Sequence, residues 1–217
     1  MPKTHVIEKG DCLSSVAYRH GYLPATIWQH PDNAKLRELR GDPNVLLAGD
    51  ALVIPDRDPL EAACDTGKRH RFVRKAVPAR FRLQLMNVDR PRAGVAYRLT
   101  IDDAAPLEGT TPADGVIDVP IPPDARRGRL HLVEDGADYE LRFGELDPPG
   151  EGRGVRQRLT NLGYLRGDDA ESASAQQLAE ALRMFQRRAG LPGTGEIDDA
   201  TRQALVGAHD TARTAKD

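Results

Sequence analysis

Little in this 217-residue chain points to a membrane, a disulfide scaffold or a polyanionic partner. No apolar run approaches the roughly 18 to 20 residues that a membrane helix needs, so no membrane insertion is expected. The two cysteines, Cys12 and Cys64, lie far apart and form no CxxC pair. A bridge between them would need an oxidising compartment, and two idle thiols are the simpler expectation. Neither sign of charge dominates, with 31 Lys and Arg against 33 Asp and Glu and a net charge of -2, so nothing electrostatic favours nucleic acid. Aromatic residues are only 5% of the chain, and Trp28 is the single tryptophan. Charged residues at 29% and hydrophobic ones at 39% fit a chain that folds. Met1-Pro2-Lys3-Thr4 runs at once into a charged, alternating segment, so no secretory leader is expected and synthesis in the cytoplasm is.

Catalytic signatures are also missing. There is no H-E-x-x-H, no G-x-S-x-G and no Gly-rich phosphate loop. His5, His20, His30, His70, His131 and His209 are scattered without ligand spacing, although His20 and His30 could meet across one module. Cys12 would serve as a nucleophile only with a histidine base beside it. Asp102-Asp103 and Asp168-Asp169 are neighbouring acids in turns rather than carboxylates opposed across a cleft. The expectation is a non-enzyme with no metal and no cofactor.

What the chain does have is three segments of different rhythm. In residues 1–56, His5-Val6-Ile7 predicts a short strand and Lys9-Gly10-Asp11 a turn. Asp11 or Cys12 sits where a helix would be capped. Leu13, Val16 and Ala17 follow with the spacing of a helix burying one face, and Gly21 is placed to end it. Pro24 suits the first turn of a second helix through Ile27 and Trp28. An apolar strand ending in Ile54-Pro55 closes a strand–helix–helix–strand unit.

After a polar linker over 57–69, residues 70–147 alternate strictly. Phe81, Leu83 and Leu85 share one face, as do Val95, Tyr97, Leu99 and Ile101. Ile117, Val119 and Ile121, then Leu130 and Leu132, then Tyr139, Leu141 and Phe143 repeat the pattern. Such strands between turn signals predict an antiparallel β-sandwich. A Pro/Gly-rich linker over 148–154 precedes a third segment, 155–207. There Val155, Leu159 and Leu162 define one helix, and Ser174 with Gln177 can open a second through a capping box. Leu178, Ala181, Leu182 and Phe185 give that helix its buried face. Asp198 or Asp199 can cap a third, and residues 208–217 form a polar tail. The fold class expected is therefore multidomain α+β: a small βααβ unit, a sandwich and a three-helix bundle.

Two segments carry the motifs of known families. Gly10, Asp11, Leu13, Val16, Ala17, Gly21, Asn33, Gly49, Leu52, Ile54 and Pro55 stand in the order of a LysM domain, which the first segment resembles. Cys12 departs from that pattern, as does the insertion AKLRELRGDP over Ala34 to Pro43. The resemblance implies a shallow groove for glycans containing N-acetylglucosamine. Its candidate residues are Gly10, Asp11, Cys12 and Leu13 in one loop, and Pro31, Asn33, Asn44, Val45 and Leu46 in the other. The insertion would extend that groove or close it, and Trp28 would either stack on sugar or fill the core. In the third segment, VRQRLTNLGYL followed by LRMFQRRAGLPGTGEIDDATRQAL resembles the three-helix peptidoglycan-binding domain attached to cell-wall hydrolases. The loop RGDDAESAS, Arg166 to Ser174, departs from it.

The middle segment, with GVAYRLTIDDAAPLEGTTPADGVIDVPIP, resembles transthyretin-like sandwiches, including some encoded with type VI secretion spikes. Together these resemblances imply a protein that binds peptidoglycan glycan strands and reaches a target periplasm through a dedicated secretion machine. There it would hold an effector or spike protein at the murein. The alternatives are an adaptor that docks such a partner in the cytoplasm without binding glycan, and a neutralising partner of a wall hydrolase.

Overall fold

The computed structural model describes residues 2–56, 63–71, 79–87, 90–165 and 172–210. Two compact units divide the chain, Met1–Glu145 and Leu146–Asp217.

The first unit begins with a two-stranded antiparallel sheet. β1 (Lys3–Val6) pairs with β2 (Ala51–Ile54), in register from Lys3 opposite Ile54 to Val6 opposite Ala51. The first strand starts two residues earlier than the apolar pattern predicts, because its register is set by pairing with β2, and Ile7 turns inward beyond its end. α1 (Leu13–His20) buries Leu13, Val16 and Ala17. Gly21, at φ 76, ends it in the left-handed conformation, donating its N–H to the carbonyls of Ala17 and Tyr18. α2 (Pro24–Trp28) opens with proline at its first turn. Trp28 is 8% exposed and packs with Ile27, Leu36, Leu46 and Leu52, so the indole belongs to the core.

The insertion forms a helix, α3 (Ala34–Arg40), entered through a single 3-10 turn at Pro31–Asn33. The expected βααβ unit thus carries a third helix. Leu36 anchors α3 in the core, Arg37 donates to the carbonyls of Trp28 and His30, and Arg40 clamps Asp50 through two bonds of 2.8 Å.

The rest of this unit is antiparallel sheet. A four-stranded sheet runs in the order β10 (Ala137–Arg142), β9 (Arg127–Leu132), β6 (Ala96–Ile101), β7 (Leu107–Thr110). β3 (Arg80–Gln84) pairs with β8 (Val116–Pro120), and β4 (Met86–Asn87) pairs with β5 (Arg90–Pro91). Both larger sheets feed one core, in which Leu99, Ile117, Leu130 and Leu132 are fully buried against Phe81, Leu83 and Phe143. Alternation explains those faces. It fails at Tyr139, which is 49% exposed although it keeps the parity of Leu141, because β10 is an edge strand.

The second unit holds α4 (Gly152–Asn161), α5 (Ala175–Arg188) and α6 (Asp199–His209). Ser174 and Gln177 form the reciprocal capping box, and Asp198 accepts from the Thr201 amide at 2.7 Å. Val155, Leu159, Leu182, Phe185 and Leu205 form the core, with Tyr164 edge-on to Phe185 at 5.5 Å. Pro148 is buried, Asp147 receives a bond from Arg158, and a Cβ on Gly154 would lie 2.2 Å from the Pro148 carbonyl oxygen. Most of the loop Arg166 to Ser174, including Asp168 and Asp169, lies outside the described residues, as do residues 57–62 of the expected linker and 211–217 of the tail.

Candidate functional site

The two loops expected to face a glycan are tied to each other and to the fold. The Leu13 amide donates to the Pro43 carbonyl at 3.1 Å, and Ser14 Oγ donates to Asn44 Oδ1 at 3.3 Å. The insertion therefore ends by closing onto the first loop. Asn33, 1% exposed, uses its whole side-chain amide internally. Its Nδ2 donates to the Ile27 and Val53 carbonyls, and its Oδ1 accepts from the Val53 amide, each at 2.8 Å. These bonds hold the 3-10 turn against α2 and β2. Val45 and Leu46 are buried at 2% and 4%. Of the nine candidates, Pro31 is exposed, Cys12 and Asn44 are half-buried, and the other six are buried.

Asp11 is the centre of this region. Its carboxylate is buried, yet two arginines and a histidine converge on it: Arg19 at 2.6 Å, Arg126 at 2.8 Å and His5 at 2.9 Å, the last charged only if protonated. The Glu8 amide adds a bond at 3.3 Å. Burial alone would raise its pKa. The bonds from Arg19, His5, Arg126 and Glu8 outweigh burial and hold the group at about 2, below its ordinary 3.8. The His5 ring also meets His20 edge-on at 5.6 Å. Cys12 is the N-cap residue of α1. Its amide donates to Ser15 Oγ, which in turn donates to the Cys12 carbonyl. Cys12 and Cys64 are both free thiols.

Sequence reasoning missed Arg126 because nothing local marks a partner so distant in the chain. It also missed the two polar nodes of the helical unit. Arg158, fully buried, binds Asp210 through Nε at 3.2 Å and Nη2 at 2.8 Å, and through Nη1 donates to the carbonyls of Asp147 and Gly154. Burial would raise the pKa of Asp210, but bonds from His209 and Arg158 lower it. Gln186, 1% exposed, donates to Thr194, Thr201 and the Glu196 carbonyl and accepts from the Gly195 amide. It thereby fixes the loop between α5 and α6. The only sequence signal for either node was a polar residue on an otherwise apolar helix face.

Among the described residues, no helix is long and apolar enough to cross a membrane. No curated protein and no solved structure matches the chain. Residues 153–205, which lie within the second unit and take in most of α4, α5 and α6, match the family model described as "Putative peptidoglycan binding domain".

Proposed function

We propose that this is a non-catalytic peptidoglycan-binding protein whose helical C-terminal domain supplies the contact with murein. The match over residues 153–205 carries the reading. Its structural support is the order of three helices over that span, the last two capped by Ser174 and Asp198, with Gln186 fixing the connection between them. In this proposal the first unit presents a partner, such as an effector or spike protein of a type VI or related contractile machine. That machine would deliver the protein to the periplasm of a target cell. The type VI reading rests on the resemblance of the middle segment and of the combination of modules.

A second reading is an adaptor that docks its partner without binding glycan through the N-terminal module. The burial of six candidate groove residues favours it for that module. Co-sedimentation with purified sacculi separates the readings. The full chain should pellet with sacculi, and a chain ending at Glu145 should stay in solution. A full chain that stays in the supernatant at every moderate salt concentration would sink the peptidoglycan proposal.

A further inference from the structure

The loop that was expected to receive sugar meets a different surface, the β-sandwich of the same unit. Arg126 Nη2 reaches Asp11 Oδ1 at 2.8 Å, and its Nη1 lies 3.4 Å from the Lys9 carbonyl oxygen. Lys9 Nζ stands 3.4 Å from Glu145 Oε2. Between these pairs the two backbones touch. A Cβ on Gly144 would fall 2.3 Å from the Gly10 carbonyl oxygen, and one on Gly10 would fall 2.3 Å from Arg126 Nη1. Both glycines have positive φ, 87 at Gly10 and 71 at Gly144, so each is suited to its turn as well as to the close approach.

The sandwich side of this contact is held by bonds of its own. Asp102 has φ 45, the only positive value outside glycine among the described residues. From that turn its carboxylate accepts from the amides of Arg126 and Arg127, at 3.1 and 2.9 Å. The Arg126 carbonyl accepts from the Phe143 amide at 2.9 Å. The backbone that carries Arg126 is therefore fixed at both its N–H and its C=O. Asp11 is fixed in the same way by Arg19, His5 and Glu8. With the backbone fixed on both sides, only the Arg126 side chain is left to order, which favours a persistent contact over a transient surface ion pair.

We infer that Asp11 and Arg126, with the Gly10–Gly144 approach beside them, latch the N-terminal module to the sandwich so that the two unfold as one cooperative body. The Lys9–Leu13 loop is then an internal joint, and a partner of this unit meets a composite of both modules in fixed relation. This inference does not depend on peptidoglycan binding.

Trp28 provides the test, because the only tryptophan of the chain lies in the N-terminal core. Urea unfolding of the full chain is followed by Trp28 fluorescence while the sandwich core is weakened by Leu130→Ala. The milder Ile101→Val is used alongside in case the first variant does not fold. The latch predicts that the Trp28 midpoint falls although neither substitution touches its module. In the background Lys9→Ala/Arg126→Ala, that fall should shrink at least twofold. A Trp28 midpoint indifferent to both sandwich substitutions overturns the inference. Equal falls with and without Lys9 and Arg126 overturn the role given to the latch.

Discussion

The two units each bury an ionic node, and the nodes are built in opposite senses. In the first unit a carboxylate, Asp11, sits at the centre, with a histidine arriving from β1 and arginines from α1 and the turn before β9. In the second a guanidinium, Arg158, sits at the centre, with one carboxylate and two backbone carbonyls around it. The central carboxylate has more donors than one opposite charge requires, so losing one partner leaves it paired. The central arginine has one counter-ion, and its other contacts are carbonyls that need its N–H groups. Redundancy therefore protects the first node, while the second is a single point of failure.

The largest effect should come from breaking the second. Arg158→Ala removes the partner of Asp210 and strips a donor from one buried and one part-buried carbonyl, which should cost the helical unit about 3 to 5 kcal/mol. Urea unfolding followed by circular dichroism would show it. A loss under 1 kcal/mol would mean that the fold does not depend on this node.

The first node should reveal itself through pH. Asp11 binds its proton less tightly when folded, at about 2 against an ordinary 3.8. Its contribution is therefore complete above pH 4 to 5 and is lost as pH falls toward 2, to an extent of about 2 kcal/mol. The Trp28 urea midpoint should drop over that window in the native chain and drop less in Asp11→Asn. Parallel curves for the two chains would remove Asp11 from the account.

The smallest effect sharpens the contrast between a buried node and an exposed cap. Ser174→Ala deletes one half of the capping box of α5 and should cost about 1 kcal/mol. Thermal unfolding of the full chain measures it, and a loss as large as that of Arg158→Ala would contradict the ranking.

Caps of this kind were legible in the sequence because they are local. Gly21, Pro24, Ser174 with Gln177, and Asp198 each act within one turn of their own position, and each stands where the pattern puts it. The sheet faces were legible where strands lie inside a sheet, through Leu99, Ile101, Leu130 and Leu132. β7, with the sequence LEGT, has no alternation to announce it and exists because β6 offers it a partner. The polar contacts of the candidate site were least legible of all. Asn33 and Asp11 occupy motif positions, yet here Asn33 fastens the 3-10 turn to β2 and Asp11 gathers three side chains. A motif records that a residue type is needed at a position, and the same polar atom can satisfy a backbone as well as a ligand.

The meeting of Gly10 and Gly144 also restricts how this sequence can change. A left-handed position ordinarily tolerates asparagine or aspartate as well as glycine. At Gly144 the Gly10 carbonyl oxygen removes that choice, since even a Cβ would collide with it. Position 144 is therefore answerable to a residue at the other end of its unit. A sandwich of this kind released from its N-terminal module would be free to accept a side chain there, whereas one that keeps the module would not. Glycine at 144 then ties the choice of residue in the β-sheet region to the backbone of the N-terminal module.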